Sequence, residues 1–157
     1  MIKLIAISCI FLAAIWLGRG YSSFCDRRVG EMAGIVALIS YMEEGISSTL
    51  SFGSELYRGF YDEYLDKSGF LAAIKENNLS ESAFDMLNLP KEIKEKIKRL
   101  FSEFGSGYME NELSKLRSCR EELSADLASL EADLEREKKV TGALIFGFAA
   151  SLGIILI

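Results

Sequence analysis

The stretch "DRRVGEMAGIVALISYMEEGIS", residues 26–47, decides the fold class. Val29, Met32, Val36, Ile39, Met42 and Ile46, with Leu50 just beyond, recur three or four apart. That is the period of an α-helix with one apolar face. Asp26 is a suitable N-cap. Arg28, Glu31, Glu43 and Glu44 fall on the opposite, polar face. Gly30, Gly34 and Gly45 each weaken such a helix by about 1 kcal/mol against alanine. Gly30 and Gly34 stand four apart, a spacing that lets a neighbour cross closely.

On the N-terminal side, Ile2–Leu17 is apolar except for Lys3, Ser8 and Cys9. Helix continuing to Phe24 predicts a membrane span over 2–24, since a bilayer core of ~30 Å needs ~20 helical residues. Trp16 and Tyr21 suit an interfacial belt, and Lys3 can snorkel. A cleaved signal peptide fits less well, because no small-x-small site follows the apolar run. Neither Cys9 nor Cys25 sits in a context that suits a lipoprotein anchor.

On the C-terminal side the helical reading continues in shorter pieces. Ser51–Lys67 places Leu56, Phe60 and Tyr64 on one stripe, and "SGFLAAIKENN" reads as a short helix. Ser80 is placed to cap another, with Phe84 and Leu87 inward. Pro90 suits the first position of "PKEIKEKIKRLFSEF", with Ile93, Ile97, Leu100 and Phe104 toward the core and Gly105 ending it. Tyr108–Lys139 has no breaker and spans about 48 Å as a helix. Its Leu113, Leu116, Leu123, Leu127, Leu130 and Leu134 follow a near-heptad stripe with Arg120 in the seam.

That helix leads into "VTGALIFGFAASLGIILI", residues 140–157, which carries no charge. It is apolar on every side, whereas a core helix of a small domain shows a polar stripe. Eighteen residues reach about 27 Å, enough for a second span over 140–157 with slight thinning. Ala143, Gly147 and Ser151 form one small-residue face, and Ala14 and Gly18 are similarly spaced in the first run. Such faces let helices pack closely in lipid. The expected architecture is therefore all-α: a helical bundle over 26–139 with an N-terminal and a C-terminal transmembrane helix.

Charge supports an orientation. Of the 18 basic and 23 acidic residues, only Lys3 lies outside 19–139. Arg19, Arg27 and Arg28 follow the first run, and Arg136, Lys138 and Lys139 precede the second. The positive-inside bias then places the bundle in the cytoplasm. The net-acidic middle argues against nucleic acid as a partner. From Glu43 to Asp85 there are nine acidic and three basic residues, and from Lys91 to Arg99 five basic and two acidic. Glu43, Glu44, Lys94, Lys98 and Arg99 are the candidate docking residues for charged partners or a neighbouring subunit.

No catalytic constellation is legible. Histidine is absent, none of the three cysteines forms a CxxC pair, and no phosphate-binding or nucleophile-elbow motif occurs. No catalytic residue, cofactor or metal site is expected. The form fits a structural subunit. Two other classes have the same outline: a two-span membrane-active, holin-like protein, against which the large ordered middle argues, and a membrane-tethered enzyme, which the lack of histidine disfavours.

Three stretches carry a resemblance. "DRRVGEMAGIVALISYMEEGIS", "LFSEFGSGYMENELSKL" and "KKVTGALIFGFAASLGIILI" resemble the first soluble helix, the glycine-containing middle segment and the glycine-rich ending of the stage III sporulation protein AB family. The tyrosine that usually precedes the last span is missing here, and the second glycine and the aspartate of the middle segment are replaced or shifted around Tyr108 and Glu110-Asn111. The resemblance implies one subunit of an eight-protein complex in the mother-cell membrane around the forespore, which with a forespore-side partner makes a secretion-like channel. It also implies a soluble domain similar to the cytoplasmic domains of type II secretion and type IV pilus platform proteins. Its partners would be the membrane, the other subunits of the complex and a separate cytoplasmic ATPase.

Overall fold

The computed structural model describes residues 2–49, 55–76, 81–105 and 108–156, and the side chains of 8–48, 56–76, 82–105 and 108–154. Among the described residues seven helices follow one another: α1 (Ile2–Thr49), α2 (Glu55–Arg58), α3 (Glu63–Ser68), α4 (Phe70–Lys75), α5 (Glu81–Asp85), α6 (Lys91–Glu103) and α7 (Met109–Leu156). There is no strand among the described residues. The all-α expectation holds. The chain divides into two compact units, residues 27–129 and residues 1–26 with 130–157.

The central unit, 27–129, is built on α1. Met32, Ile39, Met42 and Ile46 are buried, as their spacing requires. Ile35 and Leu38 are fully buried too, so the apolar face is wider than the three-four stripe. Leu50 and Ser80 lie outside the described residues. Glu31, assigned to the polar face, is instead fully buried.

The expected single helix over 51–67 is two, because the chain turns between Gly59 and Asp62. Asp62 caps α3, its Oδ1 accepting from the Tyr64 and Leu65 amides at 3.0 Å. This is the usual N-cap chemistry, and it fixes where α3 begins. Gly69 then takes a left-handed φ of 84° and ends α3 directly before α4.

Phe70, Phe84 and Phe101 pack as one aromatic cluster, with ring centroids 5.6 to 6.3 Å apart. Phe101 takes the core position expected of Phe104. The physical reason is the helix end: α6 stops at Glu103, so Phe104 lies past the last helical turn. Pro90 likewise sits one residue before α6, at its N-cap, rather than inside it. Gly105 adopts φ 89° and ends the helix as its composition suggests. Leu116 and Leu123 of α7 are buried, and Leu113 and Leu127 are half-buried.

The terminal unit pairs the start of α1 with the end of α7, antiparallel. Tyr21 Oη donates to Glu137 Oε2 at 2.9 Å, and Lys138 pairs with Asp26. Ala14 and Ala149 are buried. Among the described residues no helix is long and apolar enough to cross a membrane. The stretches 2–24 and 140–157 both run onto side chains outside the described set.

Candidate functional site

Three charged arrangements distinguish the central unit. The first is a buried carboxylate. Glu31 pairs with Arg27, one helical turn earlier, at 2.9 Å. It also accepts from the Asn88 backbone amide and, at 2.9 Å, from the Asn88 side-chain amide. Arg28 Nε donates to the Asn88 carbonyl at 3.0 Å. The turn that precedes α6 is thus fastened to α1 through one residue, Asn88. No sequence feature signals this, since a lone glutamate in a charged segment reads as solvated.

The second joins α1 to α7. Glu43 is approached by Arg117 Nε at 3.2 Å and by Arg120 Nε at 3.1 Å. The Arg120 Nε–H is not aligned for a hydrogen bond and has no other acceptor. This accounts for an arginine in the heptad seam: it faces a carboxylate rather than an apolar neighbour. Glu43 is therefore engaged within the chain, while Glu44 is exposed. A related contact ties Gly105 to α7. Glu112, almost fully buried, accepts from the Gly105 amide at 3.1 Å and lies 3.4 Å from Lys115 Nζ.

The third is α6, which borders two cavities. One, about 370 Å³, has Phe84 and Leu89 beside Lys91, Lys94 and Lys98, with Asp85 and Glu95 also in its wall. Lys94 and Lys98 thus line the same opening, Lys94 Nζ donating to the Asp85 carbonyl at 3.3 Å. The other, about 340 Å³, lies between α6 and α7 and includes Arg99, Lys115 and Cys119. Lys96 sits at its border and bonds Asp126 at 2.6 Å, which raises the lysine above its ordinary range. The candidate docking residues are therefore divided among different settings. Lys94 and Lys98 share a cavity, Arg99 belongs to the second, and Glu43 and Glu44 are on α1.

Cys119 is half-buried in that second cavity. Burial pushes its thiol up to about 11, Glu122 and Asp126 add to the shift, and Lys96 opposes it. The thiolate is the reactive form. At pH 8 alkylation of Cys119 is expected to run about tenfold or more slower than that of a thiol with an ordinary pKa near 9, the lower thiolate fraction outweighing the greater nucleophilicity of a more basic thiolate, and to rise about tenfold per pH unit toward 11. Site-resolved peptide mass spectrometry after timed iodoacetamide treatment measures it. A rate equal to that of a free cysteine, flat above pH 9, would contradict the buried setting. Among the described residues no group of cysteine and carboxylate side chains is placed to hold a metal ion.

Of the flanking cations, Arg19, Arg27 and Lys139 are exposed, and Arg28 and Lys138 are half-buried. In the terminal unit Ala14 is buried and Gly18 half-buried, but Ala143, Gly147 and Ser151 are exposed. The C-terminal helix turns a different face inward. Ile145, Ala149 and Leu152 line a groove of about 480 Å³ together with Ile10, Ala14 and Leu17. Ala149 offers a small floor between bulky neighbours. The small-residue face of 143, 147 and 151 is not the one that packs within the chain.

These features define an all-α protein whose distinctive chemistry is charge on helical surfaces. The chain belongs to the stage III sporulation protein AB family, whose model matches residues 3–157. Neither a curated protein nor a solved structure matches it.

Proposed function

We propose that this chain is a non-enzymatic, membrane-anchored structural subunit of a sporulation channel complex in the mother-cell membrane around the forespore. Its central unit faces the cytoplasm and acts as a platform that links a cytoplasmic ATPase to membrane rings. The family match supports a role in sporulation. The observation that carries the anchoring is that this match takes in both apolar terminal runs.

Surface chemistry supports the same reading. Leu12, Trp16, Leu144, Phe148 and Ile154 are large, apolar and exposed in the terminal unit. Contiguous apolar surface of this kind marks contact with lipid or with another protein. The cations Arg19 and Lys139 lie exposed beside the runs, where anionic headgroups favour them.

Carbonate washing of membranes from cells making the full chain is expected to leave it in the pellet; release into the supernatant would end the anchored reading. For orientation, Cys119 is a poor reporter because of its raised pKa. A Glu121→Cys variant, at an exposed position of α7, serves better. It is expected to react with an impermeant maleimide only after permeabilisation. Labelling in intact cells would reverse the assigned side. Arg27→Glu with Arg28→Glu is unsuited to this purpose, since both arginines also hold the Glu31–Asn88 junction.

A further inference from the structure

The cavity at the start of α6 combines two features. Its lining carries Lys91, Lys94 and Lys98 beside two carboxylates, Asp85 and Glu95, and only the nearly buried edges of Phe84 and Leu89. A flat lipid surface is met best by a row of cations on open ground. A concave site with three lysines fits a narrower object: a turn that presents carboxylates.

The same chain displays such an object. Tyr61 is 68% exposed in the turn before α3, and Tyr64 is 39% exposed. Glu63 and Asp66 are exposed on the first turns of α3. The turn is held in shape, because Asp62 caps α3 and the Phe60 amide donates to the Tyr57 carbonyl at 3.2 Å. A preorganised segment loses little entropy on binding. The Lys67 ammonium bonded to Glu63 holds that carboxyl below its usual range, so it is charged at neutral pH. That ion pair is exposed and contributes little to folding, so a stronger partner can displace it.

We infer that two copies of this chain associate through these surfaces, the Tyr61–Asp66 turn of one seating in the Lys91–Lys94–Lys98 cavity of the other. Complementary charge sets the register, the Glu63 and Asp66 carboxylates of one copy meeting the lysines of the other. This goes beyond the anchored-subunit reading, and it requires neither a bilayer nor another protein.

The experiment uses the purified full chain in neutral detergent, with mass read by light scattering. The native chain is expected to self-associate at low salt and to dissociate toward ~1 M salt, where the screening length falls to ~3 Å. Lys94→Glu with Lys98→Glu is expected to run as a monomer, and so is Glu63→Lys with Asp66→Lys. An equimolar mixture of the two variants is expected to form mixed dimers, because each supplies the surface that complements the other. Rescue by mixing cannot come from misfolded chains, so it separates lost pairing from lost structure. A native chain that stays monomeric at every concentration overturns the inference. So do variants that associate as the native chain does, or a mixture that stays monomeric. Loss of binding to phosphatidylglycerol vesicles in the lysine variant of a monomeric native chain would assign the cavity to lipid instead, against the inference.

Discussion

Glu31→Ala is expected to destabilise the central unit by about 2–4 kcal/mol, chiefly the cost of leaving the two Asn88 donors without their buried acceptor, since Arg27 is exposed and can turn to water. Three donors meet this carboxylate: Arg27 Nε, the Asn88 amide and the Asn88 side chain. The side chain is fully buried, so water cannot replace the lost acceptor without entering the core. A domain holds only about 5–15 kcal/mol in all, and the variant therefore loses a large share. Glu31→Gln is the informative companion. It keeps one acceptor oxygen but turns an amide donor toward Arg27 or Asn88, and about half the loss is expected. Thermal unfolding of the full chain in detergent gives the ranking, and amide exchange at Asn88 gives the location. A fall of under ~1 kcal/mol for the alanine variant would mean that Asn88 is satisfied some other way.

The consequence reaches the surface. Asn88 lies between Asp85 and Leu89, both of which line the lysine-rimmed cavity. Loosening this turn moves one wall of the cavity while leaving Lys94 and Lys98 in place on α6. Glu31 is thus a positioning residue for a surface it does not touch. Self-association is expected to weaken in the glutamine variant at temperatures where α-helical circular dichroism is unchanged. A purely local role for Glu31 predicts no such effect.

What the sequence made legible was local and periodic. Met32, Ile39, Met42 and Ile46 reveal the inward face of α1 because an α-helix repeats every 3.6 residues. Gly105 ends α6 because a left-handed φ suits glycine. What stayed hidden depended on distant partners. Nothing near Glu31 signals that Asn88, 57 residues later, will bury it. Nothing near Arg120 announces Glu43 across the bundle. The break before α3 was hidden for a different reason: Leu56, Phe60 and Tyr64 keep helical spacing through a turn. Only the Asp62 cap shows where the helix restarts. In the terminal run the small residues 143, 147 and 151 marked a possible close contact, but spacing alone does not choose among faces of a helix apolar all round.

Gly34→Ala is expected to destabilise the protein by about 2–4 kcal/mol, against the ordinary sign for a glycine inside a helix. Replacing such a glycine usually gains about 1 kcal/mol from helix propensity. Here a Cβ would stand 2.6 Å from Asp62 Oδ1 and 2.8 Å from Leu65 Cγ. Neither neighbour gives way cheaply. Asp62 is the cap whose oxygen holds the Tyr64 and Leu65 amides, and loss of a cap costs about 0.5–2 kcal/mol. Leu65 is fully buried, and overpacking a core costs typically 1–3 kcal/mol. Gly30→Ala meets the Tyr64 ring at 2.5 Å, but that ring is partly exposed and can swing outward, so a smaller loss of about 1–2 kcal/mol is expected. Gly20→Ala is the control, because nothing lies within 4 Å of its added methyl, and stability is expected to hold or rise. The order Gly34 worse than Gly30 worse than Gly20, read from thermal midpoints, tests whether the GxxxG pair exists to admit the start of α3. Equal effects at all three positions would show that α3 does not press on α1 there. The capped turn that presents Tyr61 would then lack its support, and the self-association surface would lose its preorganised half.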